Sequence, residues 1–406
     1  MSNATVVIVG SGAAGATAAV TLRDGGHQGP VILVGREPEP PYERPLLSKA
    51  YLRGEVGREE LWLRPAEAYA AKGIDFRPAT DVTAIDVAER AVVLSGGARL
   101  RFDRLLLATG SRPRRPQIPG IHLDGVLFLR SVADADRLRT AVERAQRVLV
   151  VGMGFIGAEV AASLRALGRD VTAVDRSGLP LSRALGPEVA GALAEIHAER
   201  GVRIVGGTSI ASFEGRRRRL ERAIATDGRE LACDLAVVGL GAEPNVEIAR
   251  DAGLTVDDGV VTDARFRTSV DGIFAAGDVA RVEHPVARER TRVEHWQNAI
   301  SQGTAVARLL LGEDEPYDAI PWLWSDQYEH EVNFAGFAGQ SGEAVLRGRT
   351  DDRRFLAFYL ADGRLRAVAG LNRPREVRQA MKLIRAGVAV DPARLADEAT
   401  DLSTLG

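Results

Sequence analysis

Apolar residues in this chain fall into short continuous runs that end in glycine, and the runs recur on a plan. Thr5-Val6-Val7-Ile8-Val9-Gly10, residues 31–35 and residues 105–110 are β-branched or leucine-rich stretches, the pattern of strands buried on both faces. An Ala/Leu-rich stretch with helical spacing separates the first two. The same order returns later: Arg147-Val148-Leu149-Val150-Val151-Gly152, a second Ala/Leu-rich stretch, residues 171–175, and a closing run over 235–241. Set side by side, Gly10, Gly12 and Gly15 fall on Gly152, Gly154 and Gly157. Ala19, Leu22, Arg23 and Gly26 fall on Ala161, Leu164, Arg165 and Gly168 at one constant offset. One β-α-β unit is therefore used twice, and because each copy has its own closing strand the duplication covers whole domains.

Pro113, Pro116, Pro119 and Gly120 punctuate the exit from the first copy, and Glu243-Pro244-Asn245 the exit from the second. Beyond Pro321 the pattern shifts to Trp, Tyr and Phe, with alternating strand-like runs at 355–360 and 365–370 and a helical stretch at 375–386. The predicted class is α/β: two dinucleotide-binding domains, one built from 1–113 and 242–319 and one from 114–241, plus a smaller C-terminal α+β domain over 320–406.

Length and composition narrow the class without changing it. A chain of 406 residues exceeds what one core usually serves. A formal net charge of -2 gives no reason to expect nucleic acid or another polyanion as a partner. The first apolar run starts at Val6, so no export leader is expected, and no run approaches the roughly 20 residues needed to span a bilayer. A soluble cytoplasmic protein is expected. The single cysteine, Cys233, excludes an intrachain disulfide and a redox-active dithiol. The six histidines show no metal-ligand spacing, so no metal is expected; only His295, beside Trp296, stands out.

The glycines carry the chemistry. A phosphate lies against a helix N-terminus only where the preceding turn lacks side chains, because free backbone N–H groups and the helix dipole bind the anion directly. Gly10, Gly12 and Gly15, with Ala14 among them, mark one such turn; Gly152, Gly154 and Gly157, with Ile156 among them, mark another. A carboxylate at the end of the following strand accepts bonds from ribose hydroxyls and repels a 2′-phosphate. In the second copy this is Asp175, which favours NADH over NADPH, although Arg176 beside it could receive a 2′-phosphate. The first copy instead ends Gly35-Arg36-Glu37, with Arg where an acid is expected and Glu37 the nearest candidate. Two such folds in one chain suit two dinucleotides, FAD held permanently and NADH exchanged. Asp278, after Gly277, either holds a polyol hydroxyl of the flavin's ribityl chain or caps the next helix.

At this point the chain resembles, nearly end to end, the FAD-dependent ferredoxin reductases of the putidaredoxin, rhodocoxin and biphenyl-dioxygenase type, with their glutathione-reductase-like pair of Rossmann domains. The resemblance is carried by Pro41-Tyr42-Glu43-Arg44-Pro45-Leu46-Leu47-Ser48-Lys49, by Ala108-Thr109-Gly110, by Gly277-Asp278, by Glu294-His295-Trp296-Gln297-Asn298-Ala299 and by Trp322-Leu323-Trp324-Ser325-Asp326-Gln327. It implies Ala14, Arg44, Lys49, Val82, Arg130, Asp278 and Trp296 around FAD, Glu159 and Asp175 at NADH, and Trp324 bordering the flavin. It implies further that Lys49 lies near the flavin ring and pairs with Glu159. Gly241, which ends the second closing run, joins the expected cofactor residues. Arg36 departs from the pattern, since relatives commonly carry Asp there.

The activity implied is hydride transfer from NADH to FAD, followed by single-electron delivery to an acidic [2Fe-2S] ferredoxin that serves a monooxygenase or dioxygenase; a monomer is the default expectation, since no C-terminal catalytic histidine motif requires a shared active site. Lys49 would favour the anionic reduced flavin; on residues alone it could be a surface lysine, and Glu159 an acid stabilising a helix first turn. Trp296 and Trp324 read equally as an electron exit or as core aromatics. Arg112, Arg114 and Arg115 are candidates for a basic docking face, whereas the run 216–219 reads as a solvated hairpin tip. A rubredoxin reductase, or an NADH-sensing flavoprotein of the apoptosis-inducing-factor kind, shares the architecture.

Overall fold

The computed structural model describes residues 3–337 and 344–405. The chain divides into two compact units: Met1–Glu43, Arg58–Arg112 and Glu243–Pro321 form one, and Arg44–Gly57, Pro113–Ala242 and Trp322–Gly406 the other. Each contains one copy of the repeat.

In the first unit Val6–Val9, Val31–Val34, Ile74–Arg77, Arg104–Leu107 and Ile273–Ala275 form a parallel sheet, in the order Ile273–Ala275, Arg104–Leu107, Val6–Val9, Val31–Val34, Ile74–Arg77. Val6–Val9 is buried along its whole length, as an uninterrupted apolar run at the centre of a parallel sheet should be. From it the chain runs outward to one side and returns to the other, so the strand order reverses beside its carboxyl end, the usual place for a ligand in such sheets. Helix Ala13–Asp24 follows that strand, and helix Trp296–Leu311 packs on it. The approach is close: a Cβ at Gly303 would lie 2.3 Å from the Ala14 carbonyl oxygen.

The second unit repeats the plan with Arg203–Gly206, Asp170–Asp175, Arg147–Val151, Leu235–Val238 and Val126–Leu127, all parallel, and helix Phe155–Ala166 after the central strand. Each copy also carries a three-stranded antiparallel sheet: Val82–Asp86, Ala91–Leu94 and Arg99–Arg101 in the first, Ile210–Arg216, Arg219–Ala225 and Glu230–Ala232 in the second. The repeat extends to side-chain bonding. Arg23 donates to the carbonyls of His27 and Gly73, at 2.7 Å each; Arg165 donates to those of Arg169 and Arg200, at 2.5 and 2.8 Å. In both copies the last-turn arginine ties its helix to the turn that follows and to the approach of the third strand.

The second unit also holds an antiparallel sheet in the order Trp322–Gln327, His330–Gly336, Arg364–Leu371, Arg354–Ala361, Ala344–Arg349. Helix Pro374–Ala386 packs on it through Val377, Ala380, Leu383 and Ile384.

Ahead of Gly277, the strand spans only Ile273–Ala275: Gly272, at φ +78, turns the chain just before it and Thr268 binds back to the Ile273 carbonyl. The residue after Gly277-Asp278 starts no helix: the chain continues into strand Ala280–His284, so Asp278 is not a helix cap. The run 216–219 is a hairpin tip, with Arg217 and Arg218 both at positive φ between antiparallel strands. Among the described residues no helix is long and apolar enough to cross a membrane.

Candidate dinucleotide sites and a buried ion pair

The two glycine turns have the same geometry. Gly12 and Gly154 are the N-cap residues of 12-residue helices, at φ -75, ψ -170 and φ -72, ψ -172. Neither offers a side-chain cap, and neither helix carries an acid in its first turn, so neither source answers the leading N–H groups. The three glycines of each turn do different work. A Cβ at Gly15 would lie 1.9 Å from the Gly10 carbonyl oxygen, and one at Gly157 1.9 Å from that of Gly152. These residues let helix and turn touch. A Cβ at Gly10 would meet the Ala108 carbonyl at 2.1 Å, and one at Gly152 that of Gly239 at 2.4 Å, and both residues sit at positive φ. At Gly12 and Gly154 a Cβ would meet nothing within 4 Å. Those two positions are open, as a diphosphate cradle requires.

Around the first turn, Ala108, Thr109 and Gly110 are pinned by Asn245, which receives the Thr109 hydroxyl and donates to the Thr109 carbonyl, both at 2.8 Å. The Asp278 carboxylate accepts from Ser111 Oγ at 2.8 Å. Gly277 donates its N–H to Gln302 at 2.8 Å, and its own Cβ position would lie 3.0 Å from the Cβ of Ala14. Trp296, half-buried at the edge of the first-unit core, opens a helix that His295 caps through the Gln297 N–H. His295 is thereby given a structural task. Val82 is buried in its strand opposite Leu94. Arg36 is committed to an exposed ion pair with Asp81 at 3.0 Å, while Glu37 accepts from the Tyr42 hydroxyl at 2.7 Å. The acid nearest the end of that strand is thus Glu37. These residues fit a dinucleotide carrying a polyol: an open helix N-terminus for diphosphate and two carboxylates for hydroxyls.

At the second turn the Asp175 carboxylate accepts from the Met153 N–H at 2.9 Å and from the N–H and hydroxyl of Ser177 at 2.8 and 2.6 Å. A carboxylate offers about four lone-pair sites, so it steadies the turn and keeps capacity for a ribose hydroxyl. Ile156 and Leu240 are exposed apolar residues beside this turn, and Gly241 follows at positive φ.

The same unit holds a cluster that couples residues far apart in sequence. Lys49, 6% exposed, precedes helix Ala50–Arg53, and Glu159, 7% exposed, is the fifth residue of helix Phe155–Ala166. Lys49 is therefore not a surface lysine, and Glu159 lies beyond the first turn. Their charged atoms are 3.4 Å apart, and Lys49 Nζ also donates to Asp326 at 3.0 Å. Ser48 and Ser325 hydroxyls donate to the two Glu159 oxygens at 2.5 and 2.7 Å. Burial pushes the Glu159 carboxyl above its ordinary range, and Lys49 with both serines pulls it back. Trp324 is half-buried, not a core residue; its ring centroid lies 5.8 Å from Lys49 Nζ and 5.6 Å from the Trp322 ring. Arg44 donates to the Arg130 carbonyl at 2.8 Å, which joins two more of the expected cofactor residues.

The expected Lys49–Glu159 pair is present; Ser48, Ser325, Asp326, Gln327 and His197 were not singled out. Ser48, Ser325, Asp326 and Gln327 stood in the motifs that carry the resemblance, and strand alternation placed Ser325 and Gln327 on one face, whereas nothing in the sequence pointed to His197. Arg112, one of the three arginines expected on a docking face, is paired with Glu243 and Glu247 at 2.7 Å each within its own unit. Arg115 lies over the Phe128 ring at 4.4 Å. Among the described residues no cluster of His, Cys, Asp and Glu could hold a metal ion.

Residues 4–303 match the family model described as pyridine nucleotide-disulphide oxidoreductase, and residues 322–406 match the model described as reductase C-terminal. The chain is 42% identical over 416 residues to the ferredoxin--NAD(+) reductase component of the anthranilate 1,2-dioxygenase system of Burkholderia cepacia, covering all of both chains. A crystal structure of a ferredoxin reductase from Rhodopseudomonas palustris matches with TM-score 0.96 at 35% identity, over 98% of this chain and 99% of that one. The reductase in a covalent putidaredoxin reductase–putidaredoxin complex matches with TM-score 0.94 at 37% identity, over 98% and 97%. With paired glycine turns of one geometry and a family match over most of its length, this chain belongs to the pyridine nucleotide-disulphide oxidoreductase family.

Proposed function

We propose that the chain is an FAD-dependent NADH:ferredoxin reductase. The carrying observation is the duplicated turn, with its middle glycine open in both copies. FAD is assigned to the Gly10 turn within 1–113 and 242–319, NADH to the Gly152 turn within 114–241, and 320–406 forms the C-terminal α+β domain. When bound, FAD would supply the chemistry, taking hydride from NADH and releasing its electrons singly to a small [2Fe-2S] ferredoxin of an oxygenase system. The names of the relatives, reductase components of dioxygenase systems and a reductase joined to its ferredoxin, support that acceptor.

The chain's own residues bind, orient and balance charge. Helix N-termini at Gly12 and Gly154 hold diphosphates; Asp278, Glu37 and Asp175 accept sugar hydroxyls; Arg44 and Arg130 join the FAD set. Lys49 supplies a positive charge where negative charge develops, and Glu159 keeps that ammonium in a water-poor setting. Trp296 and Trp324 are assigned to the flavin border.

The test is purification followed by NADH oxidation with a panel of [2Fe-2S] ferredoxins and rubredoxins. The expected outcome is a yellow protein that releases FAD on denaturation, prefers NADH to NADPH, and turns over ferredoxins at rates that fall with salt. Colourless protein that takes up no FAD overturns the reading, and faster turnover of rubredoxins replaces the acceptor.

A further inference from the structure

Beyond Ser325 the bonding to Glu159 continues inward. Ser325 Oγ accepts from Gln327 Nε2 at 3.2 Å, Gln327 Oε1 meets His197 Nε2 at 2.9 Å, and His197 Nδ1 meets the Tyr328 hydroxyl at 3.0 Å. Ser325, Gln327 and His197 are all 0% exposed. Strand alternation puts Ser325 and Gln327 on one face, and His197 reaches them from the last turn of helix Ser182–Glu199. A fully buried polar chain of this length is costly unless each member is satisfied, so its direction matters.

Hydrogen counting fixes that direction. An ionised carboxylate has no donor, so Ser325 must donate to Glu159 and offer a lone pair to the Gln327 amide NH2. Gln327 then presents its oxygen to His197, which must carry its proton on Nε2 and accept at Nδ1 from Tyr328. Every bond points toward Glu159. If Glu159 instead donated a proton to Ser325, the Ser325 hydroxyl would keep a partner in the chain only by reversing each bond: Ser325 to the Gln327 oxygen, the turned amide NH2 to His197 Nε2, and His197 Nδ1–H to Tyr328.

We propose that Ser325, Gln327 and His197 are positioning residues that hold Glu159 as an oriented carboxylate against Lys49, and that the tautomer of His197 is coupled to the charge on Glu159. Lys49 and Ser48 face Glu159 from the segment before helix Ala50–Arg53, Asp326 shares Lys49, and Arg53 reaches Ser163 one turn along the Glu159 helix. Around His197 stand Gln327 and Tyr328, with Arg200 over the Tyr328 ring and Glu329 paired to Arg200. Burial pushes the His197 imidazole down to about 4, so it stays neutral at neutral pH and acts through its tautomer. Only the kinetic consequence, a carboxylate steadying the ammonium used in flavin reduction, rests on the proposed function.

The experiment uses the holoenzyme labelled with ¹⁵N-histidine, with the His197 signals assigned by His197→Gln. The expected spectrum shows neutral His197 with its proton on Nε2 from pH 6 to 8, a range set about the ordinary histidine pKa. An Nδ1–H tautomer or a doubly protonated ring at neutral pH overturns the proposal. In Ser325→Ala the chain is cut next to Glu159. Both His197 tautomers should then appear, and the infrared carbonyl band of protonated Glu159, assigned by Glu159→Gln, should arise about one pH unit higher than in the parent. Ser325→Thr should restore the parent behaviour. A carboxyl titration unmoved by Ser325→Ala overturns the proposal. If the parent flavin is never reduced by NADH, the function fails while these spectra still decide the network.

Discussion

At the scale of single residues the chain places its cost and its chemistry at one ion pair. Lys49 and Glu159 are buried together, so removing the ammonium leaves a carboxylate with two serine hydroxyls as its nearest donors. Breaking a buried pair from one side typically costs about 3–5 kcal/mol, whereas replacing both members by neutral groups of similar shape costs far less. Lys49→Ala should therefore lower unfolding free energy in urea by roughly 3 kcal/mol. It should also slow flavin reduction by NADH in stopped flow while FAD stays bound, and Lys49→Met with Glu159→Gln should regain the stability but not the rate. Unchanged reduction rates in Lys49→Ala would remove its electrostatic role. The pair itself could be named only by resemblance: nothing local in Leu46-Leu47-Ser48-Lys49 says that its lysine is buried. His197 was passed over in favour of His295 because its partners, Gln327 and Tyr328, are brought to it by the fold alone.

At the scale of elements the legible parts were those whose cause lies within a few residues. The glycine spacing could be read because strand, turn and helix touch inside one short segment, and the structure repeats that contact in both copies. The packing of helix Trp296–Leu311 on helix Ala13–Asp24 could not, since Gly303 looks like any helical glycine until its neighbour is known. The three glycines of a turn also look alike in sequence, yet the structure separates them and makes a prediction. Gly15→Ala and Gly157→Ala force a Cβ onto a carbonyl oxygen and should lower the melting temperature sharply, through helix and strand pushed apart. Gly12→Ala and Gly154→Ala meet no neighbour, so the melting temperature without added cofactor should hold. Binding should be lost selectively: FAD retention in Gly12→Ala and NADH affinity in Gly154→Ala. Normal retention of both cofactors would show that the open positions are not the cradles.

At the scale of the whole chain, the family is described by disulphide chemistry that this member is not equipped to perform. Its one cysteine, Cys233, is 1% exposed within the second-unit core cluster, packed among Leu231, Ala236 and neighbouring apolar residues. Burial pushes its thiol up to about 12, so at neutral pH there is almost no thiolate, and the thiolate is the reactive form. One cysteine cannot form an intrachain dithiol, and this one is too buried to reach a disulfide from outside. The duplicated framework is thus kept while an intrachain sulfur step is absent, so the electrons leave to an acceptor outside the chain. Cys233→Ala should consequently leave NADH-to-ferredoxin turnover unchanged, with a stability loss on the order of 1 kcal/mol from the small cavity. Native protein should resist alkylation by iodoacetamide and keep its activity in the reagent, whereas urea-unfolded protein should be labelled once. A marked fall in turnover on either treatment would mean that the thiol takes part in the reaction and that the external-acceptor account is wrong.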